Sequence, residues 1–163
     1  MPATYEPIET QSLGTAQASV TFSSIPATYT DLVLVANGLA SGNTGVGMQF
    51  NGDTANNYSA TFLEGSGASA ISERQSSVSF IRVAWNSLWD TSTIANIVIN
   101  IQNYSNTTTY KTSLNRSNNS ARYVEGIVGL WRSTAAINSI NLVTTSANFA
   151  AGSTFTLYGI KAE

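Results

Sequence analysis

The sequence contains neither cysteine nor histidine. Without cysteine, the chain can form no disulfide bond and no thiolate metal site. Without histidine, it lacks the commonest general base and a common metal ligand, which excludes Ser-His-Asp and Cys-His catalytic arrangements. The nine acidic residues are scattered singly, so a catalytic carboxylate pair would require distant segments to meet. These absences predict a protein that is not an enzyme and that uses no cofactor and no metal ion.

Charge is also scarce, since only 10% of the residues are charged and the formal net charge is −2. Lys111, Arg116 and Arg122 form a small basic excess, but three charges are too few for a nucleic-acid footprint. No apolar run approaches the roughly 18 residues that span a bilayer. Residues 1–14 have neither the basic start nor the apolar stretch of a secretory signal. The sequence therefore predicts no nucleic-acid partner, no membrane and no signal peptide.

Ser, Thr and Asn are abundant and make up about a third of the chain. Short runs of β-branched and aromatic residues alternate with Gly- and Asn-containing turns, and no stretch has helical periodicity. At 163 residues the chain suits one domain. We predict an all-β, jelly-roll-like antiparallel β-sandwich of about eight to ten strands, with an immunoglobulin-like sandwich as the second choice. Residues 1–18 would form an N-terminal arm or edge strand, and residues 19–163 the sandwich.

The stretch 154–160 is the clearest candidate for an organising strand. Phe155 and Leu157 fall on one face of such a strand, and Tyr158 and Ile160 fall on the other. Because both faces are apolar, we predict a central strand that is covered on both sides. The second cover would be a neighbouring copy of the chain.

Other segments predict local features of the sandwich. Residues 94–101 alternate Ile with polar residues, which indicates a half-buried strand. The Asn-Gly-Asp sequence at 51–53 predicts a tight hairpin turn that joins a strand at 46–50 to a partner strand at 58–63. The composition of residues 65–70 is typical of a loop.

Three sets of residues are candidates for binding. Asp53 in the Asn-Gly-Asp turn would offer oxygen ligands to calcium, although a plain hairpin turn explains the same residues. Trp85, Trp89 and Trp131 would form a glycan-stacking platform if they cluster in an open groove, or would pack in the core or between subunits. The candidate assembly contacts are Tyr5 and Ile8 in the N-terminal arm and Tyr158 and Ile160 in the last strand.

Four stretches resemble a family of small structural proteins from tailed bacteriophages and prophages. They are ASVTFSSIPATYTDLVLV at 18–35, FNGDTANNYS at 50–59, GLWRSTAAINSINL at 129–142 and FAAGSTFTLYGIKA at 149–162. The resemblance implies a jelly-roll-like virion component that has no catalytic motif and contacts phage capsid or tail proteins. We expect a capsid decoration (cement) protein that forms a homo-oligomer, a trimer or another cyclic assembly. The alternative is a tail-fibre or host-attachment module that binds a cell-surface glycan.

Overall fold

The computed structural model describes residues 4–161 and all of their side chains except that of Asn86. These residues form twelve β-strands and no helix, which confirms the predicted all-β class. The strands are β1 (Tyr5–Ser12), β2 (Ser19–Phe22), β3 (Asp31–Gly38), β4 (Thr44–Phe50), β5 (Tyr58–Gly65), β6 (Ala70–Val78), β7 (Ile81–Trp89), β8 (Ala95–Ile101), β9 (Lys111–Asn119), β10 (Tyr123–Trp131), β11 (Ile140–Thr144) and β12 (Thr154–Ile160).

The strands are arranged in two antiparallel sheets. The larger sheet has eight strands in the order β1-β12-β3-β8-β9-β10-β5-β6, and the smaller has the order β2-β11-β4-β7. Strand β1 pairs with β12 in the larger sheet, and β2 pairs with β11 in the smaller one. Strands from the two ends of the chain are therefore neighbours in both sheets. This confirms the predicted jelly-roll-like antiparallel β-sandwich.

The core lies between the sheets and is built by strict alternation along the strands. In β8, Ile97, Ile99 and Ile101 are fully buried, as their two-residue spacing predicts. In β12, Phe155 and Leu157 are buried, whereas the intervening side chains are half-exposed on the other face. Each strand of the larger sheet therefore has a face toward the core and a face away from it.

Two clusters of aromatic rings fill much of the core. Trp89 is stacked on Phe155 with ring centroids 6.1 Å apart, and Phe149 meets Phe155 edge-on at 4.9 Å. In the second cluster, Tyr58 is stacked on Trp131 at 6.2 Å. Such ring pairs contribute about 0.5–1.5 kcal/mol beyond the area that they bury. The last strand thus joins the core through Phe155.

The N-terminal segment forms β1, an edge strand that pairs with β12 of the same chain. A bulge between Pro7 and Glu9 interrupts the pairing, and Lys161 Nζ lies 2.7 Å from Glu6 Oε1 beside it. Because β1 occupies the edge, β12 is an interior strand that pairs with β1 on one side and β3 on the other. This agrees with the predicted position of residues 154–160 within a sheet, whereas the second face of the strand is half-exposed in the single chain.

The turn at 51–53 has the expected backbone but not the expected partners. Asn51 and Gly52 adopt positive φ values of 53° and 69°, as an Asn-Gly turn requires. However, β4 belongs to the smaller sheet and β5 to the larger one, so the predicted hairpin is wrong. Asn51 Oδ1 instead accepts hydrogen bonds from the N–H groups of Asn138 and Ser139. The turn moves the chain from one sheet to the other.

Strand β6 was not predicted in full, and its first residue, Ala70, falls in the predicted loop at 65–70. Its sequence, AISERQSSV, has no apolar alternation, and most of its residues are exposed. The strand forms because β5 provides an antiparallel partner along its length, with one register shift between Tyr58 and Ser59. Backbone pairing with β5 therefore determines that these residues form a strand, and the composition of the segment does not indicate it.

Candidate interaction surface

The side of the eight-stranded sheet that points away from the core, here called the outer face, is unusually apolar. Eight large apolar side chains of the described residues are well exposed, and five of them lie on this face. These five are Tyr5, Leu63, Leu114, Val124 and Val128, each more than half exposed. Exposed apolar side chains concentrated on one face are typical of an interaction site.

The strand register brings these side chains into a stripe that crosses the sheet. Leu114 of β9 lies directly opposite Val128 of β10, and Val35 of β3 lies opposite Val98 of β8. Further along, Tyr158 lies opposite Val33. Side chains that face each other across neighbouring strands are in contact range. The stripe therefore consists of apolar pairs, and Asn100 and Arg116 separate them where β8 meets β9.

Strand β9 shows the reverse of the usual burial pattern. Its core-facing residues, Lys111, Ser113, Asn115, Ser117 and Asn119, are all polar and all buried. Lys111 Nζ donates to the carbonyl oxygens of Thr109 and Thr134, and Asn119 Nδ2 donates to that of Leu88. Leu114, the large apolar residue of this strand, points outward instead. The buried ends of β9 are therefore held by hydrogen bonds, and Leu114 is the one large apolar side chain that the strand presents to solvent.

A shallow trough of about 540 Å³ runs across the outer face. Val33, Val35 and Val98 line it on β3 and β8, and Tyr5 lies at one end. At the other end is Gly126, where a Cβ atom would have no other atom within 4 Å. Leu114 completes the apolar part of the lining, and Asn100, Asn115 and Arg116 add polar groups beside it. The trough therefore suits a polypeptide surface that combines apolar and hydrogen-bonding groups.

The outer side of the smaller sheet is different, because its polar side chains bond to one another. Thr21 Oγ1 donates to Asn141 Oδ1 at 3.0 Å, and Asn141 Nδ2 donates to Gln49 Oε1 at 3.2 Å. Gln49 Nε2 then donates to the carbonyl oxygen of Ser79. These groups are already satisfied by neighbours, so the two outer surfaces of the sandwich are chemically unequal.

The four predicted assembly residues do not all lie on the outer face. Tyr5 is exposed there, and its ring meets Tyr158 edge-on at 6.4 Å. Tyr158 and Ile160 are half-exposed on the same face. Ile8 lies at the bulge of β1 and packs against the core cluster, so it contributes to the fold and not to this surface.

The three tryptophans do not form an open platform. Trp89 is 0% exposed and Trp131 is 2% exposed, so neither presents a ring face to a sugar. Trp85 is half-buried between Phe62, 4.3 Å away between ring centroids, and the Arg82 guanidinium, 4.3 Å from its ring. The prediction of an open glycan-stacking platform is therefore wrong. The rings pack within this chain, where aromatic burial stabilises the fold.

Asp53, the candidate calcium ligand, is bonded to protein groups. Its Oδ2 accepts hydrogen bonds from Trp131 Nε1 at 2.7 Å and Asn57 Nδ2 at 3.0 Å, and its Oδ1 accepts one from the Ala55 N–H. Between residues 4 and 161, no group of three or more His, Cys, Asp or Glu residues is placed to hold a metal ion. Asp53 thus closes the turn after β4.

Glu64 and Glu125 form a carboxylate pair that single residues in the sequence did not reveal. They lie directly opposite each other on β5 and β10, beside a 250 Å³ pocket lined by Trp85 and Tyr123. Glu125 is buried and accepts hydrogen bonds from the Trp85 N–H and the Ser117 hydroxyl. Burial raises the pKa of both carboxyls, and Glu64 raises that of Glu125 further.

Replacing Glu125 by glutamine is expected to increase the free energy of unfolding at neutral pH. A carboxyl whose pKa is raised in the folded state destabilises the fold as pH rises above its ordinary value of 4.5, and below that value the cost disappears. The gain of E125Q should therefore grow from acidic to neutral pH in urea titrations. A gain that is the same at every pH would contradict this assignment.

Comparison with known proteins leaves the relationships of the chain open. No protein-family model and no curated protein sequence matches it. Among solved structures, alginate lyase Aly36B is 10% identical, with 93% of this chain and 77% of that chain covered and a TM-score of 0.39. Galectin LEC-6 of Caenorhabditis elegans is 8% identical, with 91% and 94% covered and a TM-score of 0.38. Likeness at this level carries no conclusion about function. In the described part of the chain, no helix is long and apolar enough to cross a membrane.

Proposed function

We propose that this protein is a non-enzymatic structural component of a bacteriophage virion, a capsid decoration or cement protein that acts through protein–protein contacts. Two observations support the proposal. The first is the resemblance of four stretches, distributed along the whole chain, to phage structural proteins. The second, which carries the role in assembly, is the apolar outer face of the eight-stranded sheet.

Removing the exposed apolar side chains of the outer face from water would favour association with a partner. Burying a Val or Leu side chain completely contributes about 1.5–3 kcal/mol relative to leaving it exposed. Leu63, Leu114, Val124 and Val128 are each more than half exposed, so covering them together recovers a large fraction of that energy. A protein partner with an apolar surface provides this cover, and the low charge of the chain leaves little electrostatic cost to its approach.

The host-attachment alternative has less support from the site. A glycan-binding module needs accessible ring faces and hydrogen-bonding groups, and two of the three tryptophans are buried in the core. The trough on the outer face has Tyr5 at one end as its one aromatic ring, and that ring contacts Tyr158 edge-on. We therefore propose that this protein binds other polypeptides, including copies of itself in a cyclic oligomer.

The proposal predicts that the protein is present on particles and visible at their surface. Particles from a host that carries the coding sequence should retain the protein through density-gradient purification, and labelled antibody should locate it on the capsid by electron microscopy. A V128E variant, which places a charge on the outer face, should bind less than an I94E variant, which places one in a loop. Complete particles that lack the protein, with all of it in the soluble fraction, would refute the proposal.

A further inference from the structure

We propose that the outer faces of two copies of this chain stack on each other across a two-fold axis, forming a homodimer whose apolar stripe is buried. The inference rests on the proposed function in that both assign the outer face to protein contacts, but it can be tested without any particle. The partner that covers the outer face is a second copy of the chain. The exposed Leu114 of β9 and the size, symmetry and shape of the face favour this partner.

The size of the face matches a stable interface. Eight strands at about 4.8 Å spacing and about seven residues at 3.3 Å each cover roughly 38 Å by 23 Å, which is about 900 Å². A typical specific interface buries about 800 Å² on each partner. One outer face placed on another therefore provides the area that a dimer needs without help from loops or termini.

Symmetry favours a pair over a ring. A two-fold dimer uses the same patch on both copies, whereas a trimer or a larger ring joins two different patches. Among the described residues, one sheet presents the apolar stripe, and the other presents polar side chains that bond to one another. A single apolar patch is satisfied by the two-fold arrangement, which is also the smallest cyclic oligomer.

The charged side chains on the outer face do not prevent two identical faces from stacking on each other. Asp31, Arg74 and Arg116 lie on three separate strands, and Asp31 Oδ1 accepts a hydrogen bond from the Asn103 N–H. No cluster of one sign is present that would repel a second copy. The row of Thr154, Asn37, Asn96 and Asn118 beside the stripe is also neutral, with Thr154 Oγ1 donating to Asn37 Oδ1 at 2.9 Å.

The shape of the face includes a hole and a projection at matching positions. Gly126 leaves open space, and Val128, two residues away on the same face of β10, is 54% exposed. A two-fold axis that crosses the strands at the level of Ile127 places Val128 of each copy over Gly126 of the other. The same axis places Val33 over Val35 of the second copy and Leu114 over Arg116, whose aliphatic stem covers the leucine in this aligned sheet packing.

Analytical ultracentrifugation of the purified full chain over a wide concentration range tests this arrangement. Wild type should be a dimer, and V128E should weaken dimerisation by at least about a hundredfold, because two carboxylates would enter one apolar interface. G126Q should also weaken it, because the new side chain occupies the hole without touching the fold. I94E is the matched control, since Ile94 is 58% exposed but lies outside the strands, and it should remain dimeric.

Circular dichroism and melting curves must show that each variant keeps the fold of wild type. A wild-type monomer at the highest concentration, a trimer, or a dimer that I94E disrupts as strongly as V128E would overturn the inference. Different results would refute the dimer proposal and the virion proposal. A monomer that still binds particles refutes only the two-fold dimer, and a V128E-sensitive dimer that is absent from particles refutes only the virion role.

Discussion

Replacing Phe155 by alanine is expected to lower the free energy of unfolding by about 3–5 kcal/mol, the range for truncating a fully buried phenylalanine. Phe155 has no exposed surface and contacts Trp89 and Phe149 through its ring. Truncation removes apolar burial and leaves a cavity between two large rings that cannot both move into it. Equilibrium denaturation with urea measures the change.

The matched control for Phe155 is its neighbour Thr156, which lies on the opposite face of β12. Thr156 Oγ1 lies 3.1 Å from Thr10 Oγ1 at the half-exposed side of the sheet. We expect T156A to cost less than about 1 kcal/mol, since an exposed hydrogen bond contributes little. Equal losses for the two variants would remove the special role of the core-facing side of β12.

Replacing Asp90 by alanine is expected to cost about 1–3 kcal/mol or more, the range for leaving buried hydrogen-bond donors without their acceptor. Asp90 is buried, and its Oδ1 accepts hydrogen bonds from the N–H groups of Ser92 and Thr93 at 2.7 and 2.8 Å. Its Oδ2 accepts hydrogen bonds from Asn119 Nδ2 at 3.2 Å and Arg122 Nε at 2.9 Å. Without the carboxylate, these donors lose their acceptor in a largely buried site.

The same carboxylate predicts a loss of stability in acid. Burial alone would raise the pKa of Asp90, but the hydrogen bonds from Thr93, Ser92 and Arg122 outweigh it and lower the pKa to about 2. The stabilisation is complete above the ordinary value of 3.8 and is lost as pH falls toward 2. Wild type should therefore lose more stability than D90A over this interval. Parallel pH profiles for the two proteins would show that Asp90 is not the group responsible.

Several features of the fold could be predicted because they depend on one strand at a time. The alternation of Ile97, Ile99 and Ile101, and of Phe155 with Leu157, marks the core-facing sides of β8 and β12. The positive φ of Asn51 and Gly52 follows from the residue types. Each of these properties is set by local backbone geometry, which neighbouring residues encode.

The candidate site could be predicted only in part, because it depends on which strands become neighbours. Of the candidate assembly residues, Tyr5 and Tyr158 meet on the outer face, but Ile8 turns toward the core at the bulge that follows Pro7. Leu63, Leu114 and Val128 were not singled out as site residues, since the pattern within one strand does not show which apolar residues of other strands lie beside them. Their common surface exists only after β9, β10 and β5 pair side by side.

The sequence by itself determined the all-β class, the alternation of buried and exposed residues, the turn residues and the absence of histidine and cysteine chemistry. These follow from side-chain identity and from the two-residue period of a strand. Only the tertiary structure decided that β4 and β5 lie in different sheets, that Trp89 and Trp131 are enclosed, and that the apolar residues of separate strands form one outer face. The reason is that strand pairing joins segments far apart in the chain, and the period of a strand carries no information about its partner.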